Sequence, residues 1–139
     1  MSYLLDAHVL SELRRKQPNE GVISWFEERP ATTLYISVLT LGEIHKGIEK
    51  LADSRHKRQL LDWLETDLPA FFMGRVLTID EKVADHWGHI TATTGRPVPA
   101  IDSLLASTAL SHNLAMMTRN VNDYFYPGLE VINPWNDGV

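Results

Sequence analysis

Four acidic side chains, Asp6, Glu43, Asp102 and Asp123, stand where apolar segments give way to helical or turn sequence. Asp6 follows Tyr3-Leu4-Leu5, and Glu43 follows the run Leu34-Tyr35-Ile36-Ser37-Val38. Asp102 opens an apolar helical stretch, Ser103 to His112, and Asp123 lies just past Leu114-Ala115-Met116-Met117-Thr118. In an open α/β fold the loops leaving the carboxyl ends of parallel strands collect on one edge, and ligands bind there. Carboxylates gathered on that edge repel and resist ionising together, so a bound hard cation is the best account of them. The chemistry this points to is metal-assisted reaction at a phosphate.

Taken singly, each acid has a structural explanation. Thr40-Leu41-Gly42-Glu43 matches a capping box, in which Glu43 reaches back to the N-cap amide. Asp6 and Asp102 fit ordinary N-caps, and Asp123 an ordinary turn residue. Four unrelated caps falling in the ligand-binding half of one small sheet is the less economical account. Helix N-termini also stabilise negative charge, so capping and ion binding are compatible roles. His86 and His89 sit at i, i+3, but with no cysteine and no His-Glu-x-x-His pattern they read as a surface or partly packed pair. Glu12, Glu49 and Asp53 read as solvated helix faces, while Trp25, Trp63 and Trp87 fall in apolar stripes and read as core. There is no phosphate-cradling glycine-rich loop and no Gly-x-Ser-x-Gly elbow.

Positioning the acids requires a regular scaffold, and the sequence supplies one. Strand-like segments at about 2–5, 34–38, 76–79, 114–118 and 130–132 alternate with helical patterns, as in a parallel sheet with helices packed on it. Helical stripes run through Val22, Ile23 and Phe26, then Leu41, Ile44, Ile48 and Leu51. Further stripes run through Leu60, Leu61, Leu64 and Leu68, through Val83, Trp87 and Ile90, and through Leu104, Leu105, Thr108 and Ala109. Gly and Pro mark the joints, among them Pro69, Gly95-Arg96-Pro97 and Pro127-Gly128. No repeat or linker divides the chain, so one α/β domain over 1–139 is expected, with about five parallel strands flanked by helices.

Composition narrows the classes further. No apolar run of 18 residues is present, which argues against a membrane span, and the opening Met1-Ser2-Tyr3-Leu4-Leu5-Asp6 lacks the features of a secretory signal. The absence of cysteine removes disulfides and thiolate metal sites and fits a reducing cytoplasm, the expected location. The net charge of −5 argues against a nucleic-acid partner only until its distribution is seen. Residues 1–58 carry nine Lys and Arg against eight acids, and residues 59–139 carry four against ten. Arg14-Arg15-Lys16 and Arg55-His56-Lys57-Arg58 are basic clusters, read either as solvated helix ends, where cations favour the last turn, or as phosphate contacts.

The ordered motifs resemble a known family. Leu4-Leu5-Asp6-Ala7-His8-Val9-Leu10-Ser11-Glu12 is similar to the opening motif of PIN domains, especially the ribonuclease toxins of the VapC and FitB type. Glu43 in Leu41-Gly42-Glu43-Ile44 resembles the second acidic position of that family, and Pro99-Ala100-Ile101-Asp102-Ser103-Leu104-Leu105-Ala106 the third. Thr118-Arg119-Asn120-Val121-Asn122-Asp123-Tyr124 resembles the fourth, and Ile132-Asn133-Pro134-Trp135 the tail of the FitB-like branch. The departure is Asp6-Ala7-His8, where the family usually has Asp-Thr-Asn or Asp-Ser-Asn.

The resemblance implies a metal-dependent endoribonuclease using Mg²⁺ or Mn²⁺, a homodimer, and the toxin half of a type II toxin–antitoxin pair. The cognate antitoxin would be a small DNA-binding protein whose basic tail blocks the acidic site. Asp6 and Asp102 would be the principal metal ligands, with Glu43 and Asp123 completing the site directly or through water. Asn120 and Thr118 would order Asp123 and its waters, and His8 would face the substrate or support a ligand without coordinating metal. Arg14, Arg15 and Lys46 would hold the RNA backbone. Two other readings stay open. One is a weakly active or non-catalytic PIN protein working with its antitoxin in a DNA-binding complex. The other is an aspartyl phosphotransferase with Asp6 as nucleophile, although such enzymes commonly carry a second Asp where His8 stands.

Overall fold

Leu4 and Leu5 are both fully buried, yet they belong to different cores. Successive side chains of a strand point to opposite faces, so strand β1 (Tyr3–Leu5) feeds a helical layer on each side. Met116 and Met117 of β4 (Ala115–Met117) divide in the same way. Short, almost wholly apolar strands of this kind belong to parallel sheets covered on both faces. The computed structural model describes residues 1–137; residues 138 and 139 of the expected domain lie outside the described residues.

The other strands are β2 (Leu34–Ser37), β3 (Val76–Leu77) and β5 (Val131–Ile132), and all five fall within the segments expected from sequence. Their order is β3-β2-β1-β4-β5, every pairing parallel. The chain works outward from β1 through β2 to β3, then crosses over to lay β4 on the other side. The switch point therefore lies between β1 and β4, where Leu4 pairs with Met116 and Leu5 with Met117.

One face is covered by α1 (Ala7–Leu13), α2 (Glu20–Glu27), α3 (Val38–Glu49) and the run α4 (Arg55–Asp62) to α5 (Leu68–Phe71). Val9, Val22, Trp25, Ile44, Ile48 and Phe72 are among the residues buried there. The other face carries α6 (Glu81–Thr93) and α7 (Ala100–Ser111), with Ile90, Leu105, Ala106 and Ala109 against Leu4 and Met116. At the end of α7, Asn113 takes φ 54° and the Leu114 amide returns to the Ala109 carbonyl at 2.8 Å. That left-handed cap turns the chain directly into β4, and asparagine is one of the few residues that tolerates it. A short helix α8 (Pro134–Asp137) closes the described chain and packs near α2.

Several expectations change. The Leu60–Leu68 stripe is not one regular helix, because Trp63–Asp67 forms a π turn in which the Leu68 amide reaches back to Trp63. Pro69 explains it: its ring would crowd the carbonyl four residues earlier in a regular helix, and a wider turn relieves the clash. Arg55–Arg58 opens α4 rather than ending a helix, against the helix dipole. Its compensation is Lys57, whose ammonium donates to the Glu49 and Leu51 carbonyls and so caps the end of α3. Glu12 is not on a solvated face; it is buried, accepting from the Asn19 amide at 2.8 Å and pairing with Arg15 at 3.2 Å, which ties α1 to the start of α2. Trp25 is core, whereas Trp63 and Trp87 are only partly buried. Arg14 lies 5.4 Å over the Trp63 ring, and the Trp87 indole donates to the Ser103 hydroxyl at 2.9 Å.

Candidate active site

Asp6 is the first residue after β1, and it is buried. It occupies the N-cap position of α1 but its side chain makes no cap bond. Its Oδ2 instead accepts the Thr118 hydroxyl at 2.6 Å, and its backbone amide donates to the Met117 carbonyl at 2.9 Å. These two bonds span β1 and β4 at the switch point, and they fix the carboxylate at the crevice where an open α/β sheet binds its ligand. Thr118 is fully buried and its oxygen also accepts the Asn120 amide at 3.0 Å. Its proton is thereby committed to Asp6.

Glu43 comes from the second turn of α3, the helix that follows β2. The expected capping box is absent: Ser37 is the N-cap, its hydroxyl accepting the Leu39 amide at 3.0 Å, so Glu43 is released from that duty. Asp102 reaches the same edge by another route. The helix α7 precedes β4, with Pro99 as its N-cap, and Asp102 lies in its first turn. Its Oδ1 accepts the Tyr124 hydroxyl at 3.3 Å. Asp123 lies in a 3-10 turn, Val121–Tyr124, that follows β4, its amide bonded to the Asn120 carbonyl at 3.0 Å. Asn120 thus orders Asp123 through its backbone, while Thr118 orders Asp6 rather than Asp123.

The four acids share one electric field. Glu43 is exposed at the surface of α3, yet partial desolvation is the largest cause of its raised pKa, followed by the charges of Asp6 and Asp102, with His8 and Lys46 pulling it down. Burial also leads for Asp102, then Asp123; the Tyr124 hydrogen bond opposes it, Asp6 adds to it, and His8 opposes it. The Tyr124 phenol is held far above its ordinary range by burial and by Asp6, Asp102 and Glu43, so it remains a hydrogen-bond donor. His8 is exposed, two residues into α1's first turn from Asp6, and its charge reaches both Glu43 and Asp102.

A groove of about 890 Å³ opens beside these residues. Asp6, His8 and Glu43 line it together with Arg14, Arg15 and Lys16, and Trp63 adds an aromatic face. Arg15 is partly engaged by Glu12, Arg14 lies over Trp63, and Lys46 is exposed on α3. His86 and His89, both on α6, line a separate hollow with Arg96 and Phe125 that none of the four acids lines.

The donor set suits a hard divalent cation. Among the described residues no three His, Cys, Asp or Glu side chains form a closed cluster that could hold an ion alone. Asp and Glu oxygens are the ligand type that hard divalent cations take, and waters can complete such a coordination shell. An all-oxygen set does not match a structural zinc site.

The raised pKa values carry a stability consequence. The folded protein binds protons at Glu43 and Asp102 more tightly than the unfolded chain, so stability falls as pH rises through the window between their ordinary and raised values. These groups favour the fold fully only below the ordinary carboxylate range. Asp102→Asn should therefore stabilise the metal-free protein near neutral pH, and that advantage should shrink as pH falls through the window. Denaturant titrations of both proteins across pH 4–8 would measure it. A constant difference across that range would refute the shared-field account.

A parallel α/β domain with carboxylates gathered at its switch point defines the class of protein. The model of the PIN domain matches residues 3–125, and the chain belongs to the PIN domain family. Toxin FitB of Neisseria gonorrhoeae is 36% identical over 137 residues, covering 96% of this chain and 99% of that protein. The VapC ribonuclease Y4jK of Sinorhizobium fredii is 29% identical over 95% of this chain and 96% of its own length. The crystal structure of FitAcB from Neisseria gonorrhoeae superposes with a TM-score of 0.88 at 35% identity, covering 96% of this chain and 99% of that one. The structure of FitAB bound to an IR36 DNA fragment gives 0.87 at 33% identity, covering 96% of each chain. Tyr124 and the Thr118–Asp6 bond are the features that the sequence did not single out. Both are contacts between residues far apart in the chain, and the only local signal was a tyrosine directly after Asp123.

Proposed function

We propose that this chain is a Mg²⁺- or Mn²⁺-dependent endoribonuclease, acting in the cytoplasm as the toxin of a type II toxin–antitoxin pair. The observation that carries the proposal is geometric: Asp6 at the end of β1 is held by Thr118 across the switch point, and Asp102 in the first turn of α7 is held by Tyr124 from the turn that carries Asp123. Similarity to Toxin FitB and to a VapC ribonuclease supports the toxin and RNA parts of the reading.

In this reading Asp6 and Asp102 are the principal metal ligands, and Glu43 and Asp123 complete the site directly or through water. A divalent ion bound there supplies activation of the attacking water and neutralisation of charge developing on the phosphate. Thr118 holds the Asp6 carboxylate in one orientation by its 2.6 Å bond. Asn120 fixes the turn that presents Asp123. His8 faces the substrate side of the groove, and Arg14, Arg15 and Lys46 offer weaker phosphate contacts. The phosphotransferase alternative is disfavoured, since Asp6 is buried and tied to Thr118 and the residue two positions on is His8.

The antitoxin is proposed to be a small DNA-binding protein with a basic tail, and the chain to act as a homodimer of single domains spanning 1–139. The likeness to FitAB on DNA also favours a second role, in which toxin and antitoxin bind DNA together. The direct test of the nuclease is RNA cleavage by purified protein. Cleavage should appear with Mg²⁺ or Mn²⁺ and vanish in chelator. Full activity in chelator would exclude the metal mechanism.

A further inference from the structure

We infer that Tyr124 is a positioning residue whose hydroxyl aims the Asp102 carboxylate into the acidic site. The segment 118–124 would then carry one acid, Asp123, and orient two others, Asp6 through Thr118 and Asp102 through Tyr124. The inference rests on the metal-nuclease reading above and adds a residue to it.

The geometry begins with the ring. Tyr124 is 3% exposed and packs in the core beneath α7, in the cluster that holds Leu4, Leu105 and Ala106. A phenylalanine would bury the same ring, so packing alone gives no reason for the hydroxyl. A buried hydroxyl costs free energy unless it is bonded, and this one is bonded to Asp102 Oδ1. At 3.3 Å the bond is long against the usual 2.5–3.0 Å or so for O–H···O, so it steers the carboxylate rather than locking it. With the phenol on Oδ1, Oδ2 is the oxygen left for an ion in the proposed site.

The two donors of the segment share one support. Thr118 directly follows β4, its oxygen receives the Asn120 amide, and the Asn120 carbonyl receives the Asp123 amide, immediately before Tyr124. The turn that presents Asp123 is therefore the same turn that sets both hydroxyls. Outer-shell partners of this kind hold a ligand in its productive orientation, and losing one typically weakens metal binding about 10–100-fold. The long bond places Tyr124 at the lower end of that range.

The test is Tyr124→Phe in the full chain, with Tyr126→Phe as control. Tyr126 is also buried, and its hydroxyl has no hydrogen-bond partner among the described residues. Mn²⁺ affinity is measured by calorimetry, the metal-free melting temperature by thermal unfolding, and RNA cleavage as kcat and KM. The expected result is about a tenfold loss of Mn²⁺ affinity in Tyr124→Phe, a lower kcat, an unchanged KM and an unchanged metal-free melting temperature, with Tyr126→Phe like wild type in metal binding. Wild-type Mn²⁺ affinity in Tyr124→Phe overturns the inference and leaves the nuclease reading standing. Equal losses of affinity in both variants, or a loss matched by a lower metal-free melting temperature, assign Tyr124 a packing role and also overturn it. A wild-type protein that takes up no Mn²⁺ overturns the nuclease reading itself, and the inference with it.

Discussion

Replacing Asp6 with asparagine should abolish RNA cleavage while the metal-free protein stays folded. Asparagine has the same shape, and it can sit at the N-cap of α1 as well as aspartate does. It can still accept the Thr118 hydroxyl, the bond that holds residue 6 between β1 and β4. What it loses is the negative charge that would hold a divalent ion. Metal participation contributes several kcal/mol to such a step; a loss of about 3–4 kcal/mol corresponds to a rate lower by roughly two to three orders of magnitude. The substitution also removes one repelling charge from Glu43 and Asp102, so the metal-free fold should be no less stable than wild type. Metal should raise the melting temperature of wild type, by about 2.7 kcal/mol of stabilisation at one hundred times Kd, and should do little for Asp6→Asn. Single-turnover cleavage and thermal unfolding with and without Mg²⁺ decide the matter. A variant that cleaves at the wild-type rate would show that Asp6 has no part in the chemistry.

How far the sequence revealed this site depends on the distance over which each feature acts. Asp6 and Asp123 are legible because each ends a local pattern, an apolar strand followed by a break. Glu43 and Asp102 were singled out for standing where apolar strands end, but neither directly follows its strand: Glu43 lies in the second turn of α3, where Ser37 pre-empts the capping box offered as its structural explanation, and Asp102 stands in the first turn of a helix that enters β4. Their side chains reach the crevice because both α3 and α7 begin at the carboxyl edge of the sheet, a property of topology and not of local spacing. The Thr118–Asp6 bond joins residues 112 positions apart, and no periodicity reports such a contact. Glu12 shows the reverse error, where an acid at helical spacing looked solvated but is buried because α2 folds back over the end of α1. The alternating strands and helical stripes were legible because burying apolar surface on both sheet faces demands those periods. The π turn was not, since it is Pro69's local crowding that breaks an otherwise regular stripe.

Expression of the chain alone should arrest growth, and co-expression of its cognate partner should relieve the arrest. The charge of the site dictates the inhibitor that it would accept. Asp6, Glu43, Asp102 and Asp123 form a negative crevice beside an open groove, so the complementary group is a cation delivered on an extended tail. Arginine suits it best, because its planar fork can engage a carboxylate with two bonds and remains charged at every accessible pH. Such a side chain would replace the ion's positive charge among the acids without supplying its chemistry, which is the requirement for inhibition. The groove's apolar residues, Ile44, Ile48 and Trp63, offer the tail a second anchor. Truncating that arginine to alanine in the partner would leave the acids unpaired in the complex, at a cost of about 2–5 kcal/mol. At about 1.4 kcal/mol per factor of ten, affinity should drop at least about thirtyfold, and growth arrest should return. Asp6→Asn supplies the matching control on this chain: it should be harmless when expressed alone. Unaffected growth under strong expression of wild type, indistinguishable from Asp6→Asn, would overturn the toxin reading while leaving the family and the fold in place.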